Sequence, residues 1–226
     1  MIPPRESAAF VWRMEEILDL YEEPYNERWP VVCFDERPCQ LLADVRGSLP
    51  PRPGGAGGGA RLVDHEYERC GTANVWVVFE PLTGRRRVEV TERRRKREFA
   101  EAVRRLAEED YPRAEKIRLV LDNLSTHTAA AFYETFTPEA ARRLARRVEF
   151  VYTPVHGSWL NMAEIEISAL VRQCLGERRL PDEETLRREA EIWAEERNRQ
   201  GASVDWRFTT EDARTKLRSL YPSEKQ

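Results

Sequence analysis

The chain has 226 residues, 41% of them hydrophobic and 34% charged, with a formal net charge of −3. That length supports one domain with a substantial core and a helical appendage, and the slight acidity excludes a globally basic, nucleic-acid-coating surface, so any DNA contact must be local. No apolar run approaches the ~20 residues that span a bilayer, and Met1 to Glu6 lacks an apolar signal core, which predicts a cytoplasmic protein with no membrane partner.

In chain order, Phe10, Met14, Ile17, Leu18 and Tyr21 recur at the spacing of one helix face, and Pro24 and Pro30 punctuate the approach to a first strand, Val31-Val32-Cys33-Phe34. Pro50 to Gly59 is rich in proline and glycine and reads as a mobile loop between strands. Val75 to Phe79 reads as a buried strand, Pro81-Leu82-Thr83-Gly84 as a turn, and Arg87 to Thr91 as an alternating strand that completes a hairpin. Phe99, Val103, Leu106 and Ala107 follow helical spacing, and Ile117 to Leu121 is the next strand. Residues 129–146 read as helix interrupted at Pro138, Val148 to Tyr152 as a final strand, and Pro181 to Tyr221 as charged helix marked by Leu186, Ala190, Trp193 and Ala194. Three antiparallel strands followed by strands joined through helices is the layout of an α/β, ribonuclease H-like mixed sheet flanked by helices, with a helical C-terminal extension.

Within that layout, three acidic residues end or interrupt apolar segments. Asp35 follows the first strand's apolar run, Asp122 follows Leu119-Val120-Leu121, and Glu164 lies in the amphipathic stretch Trp159 to Ile167. Carboxylates emerging from buried strands are held rigidly, and a third from a helix would complete an oxygen-rich site suited to Mg²⁺ or Mn²⁺, and with it phosphodiester chemistry. Taken singly, a strand-end aspartate is more often a turn or capping residue. Glu164 competes with Glu166, because residues two apart on a helix face differently, and Glu164 is preferred as lying in the stripe of Leu160, Ala163 and Ile167. The four cysteines, Cys33, Cys39, Cys70 and Cys174, include no Cys-x-x-Cys pair, so reduced thiols are expected and no structural zinc.

The blocks Cys33-Phe34-Asp35-Glu36, Leu121-Asp122-Asn123-Leu124-Ser125-Thr126-His127 and Pro154-Val155-His156-Gly157-Ser158-Trp159-Leu160-Asn161-Met162-Ala163-Glu164 together resemble the catalytic domain of DDE transposases. The nearest resemblance is to the IS-six-thirty insertion-sequence family, relatives of the mariner elements. It implies metal-dependent cleavage at element ends and strand transfer of the freed 3′ hydroxyl to target DNA. Asp35, Asp122 and Glu164 would be the catalytic metal ligands, holding two Mg²⁺ or Mn²⁺ ions. The domains become residues 1–30 as N-terminal helix and lead-in, 31–180 as catalytic core and 181–226 as C-terminal extension. Family members usually begin with a helix-turn-helix that reads the terminal repeats, and this chain starts just before the catalytic domain, so a separately encoded helix-turn-helix partner is one expectation. A catalytically silent remnant, or a DNA-binding or oligomerising subunit, is the alternative. A homodimer fits chemistry that pairs two ends, although no heptad or apolar patch announces one.

Around the triad, Asn123 and His127 could orient a carboxylate or touch a phosphate, and Asn161, one helical turn before Glu164, is a candidate to support a carboxylate; for His127 the alternative is a mere helix start, with Ser125 or Thr126 as cap. His156 either approaches DNA or sits at a loop surface. The basic runs Arg85-Arg86-Arg87, Arg93-Arg94-Arg95-Lys96-Arg97, and Arg142-Arg143 with Arg146-Arg147 invite phosphate or solvent. DNA contact is favoured for residues 93–97 and solvent for the last group.

Overall fold

The computed structural model describes residues 7–45, 66–176 and 178–222. The loop expected over Pro50 to Gly59 lies outside them. Helix α1 (Ala8–Glu22) begins where the Ser7 hydroxyl accepts the Phe10 amide at 3.2 Å, and it buries Phe10, Met14, Ile17 and Leu18. Strands β1 (Val31–Asp44), β2 (Tyr67–Glu80) and β3 (Arg85–Thr91) follow, then helix α2 (Lys96–Arg105), which a π turn prolongs to Asp110. Strand β4 (Ile117–Leu121) leads to α3 (Ala130–Thr135) and α4 (Pro138–Arg147), so the interruption at Pro138 is a helix start, capped by the Thr137 hydroxyl on the Ala140 amide. After β5 (Val148–Tyr152) and a 3₁₀ turn (Ser158–Leu160) come α5 (Ala163–Leu170), α6 (Glu183–Arg199) and α7 (Thr210–Lys216).

The strands form one mixed sheet in the order β3-β2-β1-β4-β5. β1 pairs antiparallel with β2, which pairs antiparallel with β3; β1–β4 and β4–β5 are parallel. Alternation sends Val32, Phe34, Trp76, Val78, Leu119 and Leu121 to one face, where they pack with Phe99 and Phe132 of α2 and α3. Cys33, Phe79, Val120 and Val151 go to the other face, beneath α1 and Met162-Ala163, while Val75, Val77, Val88 and Val90 meet α5 and α6. Each of these large apolar side chains contributes roughly 1.5–3 kcal/mol on burial, so both faces are covered on physical grounds.

Two expectations change. Asp35 is not at a strand end: β1 continues in register with β2, from Cys33 opposite Phe79 to Asp44 opposite Tyr67. The apolar run ends at Phe34 because β1 loses its β4 neighbour after Cys33, and the polar stretch beyond needs only one partner strand. The C-terminal extension is also not helical throughout. Residues 202–209 run without helix, carrying Trp206 against Tyr21 (ring centroids 5.3 Å) and Trp159 (6.4 Å). Trp193 is buried, its indole N–H donating to Gln173 Oε1 at 2.9 Å, as core packing predicts. Among the described residues, no helix is long and apolar enough to cross a membrane.

Candidate active site

The parallel ladder between β1 and β4 ends at Cys33 opposite Val120. Asp35 and Asp122 each lie two residues further along, and the charge of Asp122 is felt at Asp35; Asp35 takes the sheet face of Cys33, the face that α1 and the start of α5 cover, whereas Asp122 follows the end of β4 and is reached by His127 from the other side. The topology therefore creates the pair, where β1 runs on past its last β4 partner.

Asp35 is fixed from two sides. Its Oδ1 accepts the Glu36 amide at 2.8 Å, and Oδ2 lies 3.4 Å from Asn161 Nδ2, which donates to the Phe34 carbonyl at 2.9 Å. Asn161 Oδ1 in turn accepts the Ala163 amide at 3.1 Å, so one buried side chain ties β1 to the first turn of α5. Burial pushes the Asp35 carboxyl up to about 7; the Glu36 amide opposes this, and the charges of Glu164, Glu36 and Asp122 add to it. Glu164 is thus close enough for its charge to be felt at Asp35, and it is half-buried with no protein partner among the described residues.

His127 is 1% exposed and lies among Phe34, Trp76 and Phe99, with the Phe99 ring centroid 4.7 Å away. Its Nδ1 is 2.7 Å from Asp122 Oδ1. On the other side, Nε2 approaches Glu36 Oε2 at 3.4 Å, as an ion pair whose angles do not make a proper hydrogen bond. Burial opposes charge on the ring, but Asp122 and Glu36 more than offset it and raise His127 to about 9. Neither Ser125 nor Thr126 caps α3, whose N-cap is Ala129 without a side-chain bond, so His127 is more than a helix start.

Asn123 has no carboxylate contact among the described residues. Its Nδ2 donates to the Thr153 carbonyl at 2.5 Å and links the ends of β4 and β5. His156 is exposed, in the left-handed region at φ 67°, and sits before Gly157, where a Cβ would lie 2.5 Å from Pro154 Cγ. It contacts none of the carboxylates.

The two glutamates of α5 part ways, but not for the reason the sequence offered. The helix starts at Ala163, after Leu160 has been spent in the 3₁₀ turn, so the buried stripe is Ala163, Glu166, Ile167 and Leu170. Glu166, placed away from the stripe by sequence, is 0% exposed. It receives Arg86 Nε at 2.7 Å and Arg197 Nη2 at 2.9 Å, joining α5 to β3 and α6. Both of its carboxylate oxygens are engaged there.

The sequence missed Glu36, whose side chain is 2% exposed. It points to the face opposite Asp35 and meets His127 there, with Arg94 Nη1 3.5 Å from its Oε1. The readable signal was the Asp-Glu pair itself: alternation on a strand must bury one of the two against the aromatic core.

The basic segments are largely occupied. Arg85 and Arg87 pair with Asp110 at 3.0 and 2.9 Å, and Arg86 with Glu166, so none of the three is available as a phosphate clamp. In the next run Arg93 meets Glu92 at 3.5 Å, Arg94 meets Glu36, and Lys96 meets Glu134 at 2.5 Å, while the side chains of Arg95 and Arg97 have no partner among the described residues. Arg147 donates to the Tyr111 and Ala114 carbonyls at 2.7 and 3.0 Å and is not a solvent residue.

A divalent cation fits this donor set in charge and in type. Asp122 Oδ2 and both Glu164 oxygens have no protein partner among the described residues, and the upward push on Asp35 reflects in part a repulsion that a cation relieves. No group of three His, Cys, Asp or Glu side chains among the described residues is already drawn close enough to enclose an ion.

A family model described as a DDE superfamily endonuclease matches residues 30–187. Solved structures with a similar fold include the Mos1 mariner paired end complex with Mn, with a TM-score of 0.52, 14% identity, and coverage of 89% of this chain and 60% of that one. The mariner Mos1 paired end complex with Mg gives 0.55 and 14%, covering 99% and 66%. A pre-cleavage Mos1 transpososome gives 0.55 and 15%, covering 100% and 67%. The chain spans 60% of the length of the first of these proteins, and at such identity the likeness is one of fold. No curated protein matches it in sequence. The sheet and its helices are those of the ribonuclease H-like fold that the sequence predicted.

Proposed function

The chain belongs to the DDE superfamily of endonucleases, and on that premise we propose that it is the catalytic core of an insertion-sequence transposase of the IS-six-thirty, mariner-like kind. The observation that carries the reading is the alignment of Asp35 with Asp122, two residues past the last parallel pair, with Glu164 close enough to act on Asp35. In this reading the three are the catalytic metal ligands. Mg²⁺ or Mn²⁺, as two ions, would activate a water or a 3′ hydroxyl and stabilise the departing oxygen. The Mg and Mn in the Mos1 complexes support that choice of ion.

The chain's own residues divide the remaining work. Asn161 holds Asp35 and the first turn of α5 at a fixed separation, which sets the reach of Glu164. His127 holds one oxygen of Asp122 and leaves the other free. Arg95 and Arg97, whose side chains have no partner among the described residues, take DNA phosphates, as does the exposed His156. The remaining partners are element ends and target DNA, a second copy of the chain, and a separately encoded helix-turn-helix segment.

A second reading, a silent or purely DNA-binding subunit, draws on the absence of a closed three-ligand group among the described residues. Joining of a labelled oligonucleotide 3′ end to supercoiled plasmid separates the two. The transposase reading requires joined product that depends on Mg²⁺ or Mn²⁺; DNA binding with neither cleavage nor joining supports the silent subunit.

A further inference from the structure

Lined by Asn123, the residue after Asp122, is a hollow of about 430 Å³ that the triad does not use. Its floor is the first turn of α1, and its walls are Arg13, Asn123, Pro154, Val155 and His156. Asn123 adjoins Asp122, so the hollow opens next to the site. Among the described residues, no carboxylate lines it. The contrast with the larger hollow of about 550 Å³ between β3 and α6 is plain, since Glu89, Glu109, Glu191 and Glu195 line that one.

Arg13 is the second observation. Most arginines near the sheet are matched to carboxylates, yet Arg13 has no hydrogen bond or ion pair among the described residues. Its guanidinium lies 5.0 Å from the Trp12 ring centroid and 5.8 Å from that of Tyr152. Two rings restrict the side chain without neutralising it, which is how a cation is held ready for an anion. Tyr152 is anchored at the end of β5, its hydroxyl donating to the His127 carbonyl at 2.7 Å. Tyr152 therefore links Arg13 to the loop that follows Asp122.

We propose that this hollow is the seat of a DNA backbone phosphate flanking the scissile one, with Arg13 as its principal ligand and His156 at the rim. This rests on the endonuclease reading of the neighbouring carboxylates. The volume suits about one nucleotide, within the roughly 300–1,000 Å³ of ordinary ligand sites. The planar fork of Arg13 can grip two phosphate oxygens, and the exposed ring of Trp12 offers a face to an adjoining base.

The test is fluorescence anisotropy of a fluorescein-labelled DNA duplex in chelator, across a salt series, with the unaltered chain, Arg13→Gln and Arg13→Lys, alongside plasmid nicking in Mn²⁺. Arg13→Gln should weaken binding about 5–10-fold and reduce the slope of log K against log salt by about 1, with Arg13→Lys recovering the slope. Circular dichroism confirms folding, and His156→Ala, distant from the core, gives an independent and smaller loss. Unchanged affinity and slope in Arg13→Gln, or no binding by the unaltered chain, overturns the proposal. Nicking by the unaltered chain with normal binding by Arg13→Gln sinks this inference alone, whereas absence of nicking counts against the endonuclease reading.

Discussion

Glu164 and Glu166, two residues apart on α5, occupy opposite electrostatic settings: Glu166 is buried between Arg86 and Arg197, and Glu164 is half-buried, without a partner among the described residues, and felt as a repelling charge at Asp35. About half a helix turn thus separates a carboxylate whose charge is satisfied by the fold from one whose charge is left for a ligand.

That division predicts a stability contrast. Glu166→Gln leaves two arginines facing a neutral amide in a dry pocket, and breaking a buried pair costs roughly 3–5 kcal/mol. Glu164→Gln removes only repulsion, so its unfolding midpoint in chelator should equal or exceed that of the unaltered chain. Urea unfolding of both variants checks the order.

His127 gives a pH dependence with a definite sign. Its folded value, raised to about 9 by Asp122 and Glu36 against burial, exceeds the ordinary ~6.5 of an unfolded chain. Its contribution to stability is therefore fully present below about 6.5 and is lost as pH rises through about 9. In chelator, unfolding free energy should fall across that window, and His127→Phe should remove that component while lowering stability at pH 6.

Asp35 predicts proton release on metal binding. Held up to about 7, mainly by burial, the carboxyl is largely protonated at pH 6 in chelator, and a divalent cation must displace that proton. Mn²⁺ affinity should rise roughly tenfold per pH step up to about 7 and then level off. Calorimetry in two buffers of different ionisation enthalpy should show about one proton released at pH 6, and none in Asp35→Asn.

In the basic run, the free cations should count and the paired ones should not. Arg95→Ala with Arg97→Ala should lower the salt slope of DNA binding by about 2, whereas Lys96→Ala, whose ammonium is held by Glu134, should change it by much less.

Much of this architecture is legible in the sequence because burial on both faces writes itself as continuous apolar runs, from Val31 to Phe34, Val75 to Phe79 and Ile117 to Leu121. The extension of β1 to Asp44 is not legible, since Glu36, Arg37, Pro38 and Gln40 carry no apolar signature and pair along the sheet with β2 only. Helical phase fails at α5 for a related reason: the 3₁₀ turn through Leu160 resets the count, so periodicity taken across it misplaces Glu166. Glu36 and Arg86 are buried charges, and only their distant partners, His127, Arg94 and Glu166, explain them. Asp35 and Asp122 were readable as a pair by their blocks, but that they align in register is a property of the β1–β4 ladder.

The most direct test of the central claim is nicking of supercoiled plasmid in Mg²⁺ and Mn²⁺ by the unaltered chain and by Asp122→Asn, Glu164→Gln and Glu166→Gln, at a temperature where all four remain folded. The expected result is metal-dependent nicking that Asp122→Asn and Glu164→Gln abolish and Glu166→Gln retains. Nicking that survives Asp122→Asn, or that Glu166→Gln abolishes while Glu164→Gln does not, would contradict it.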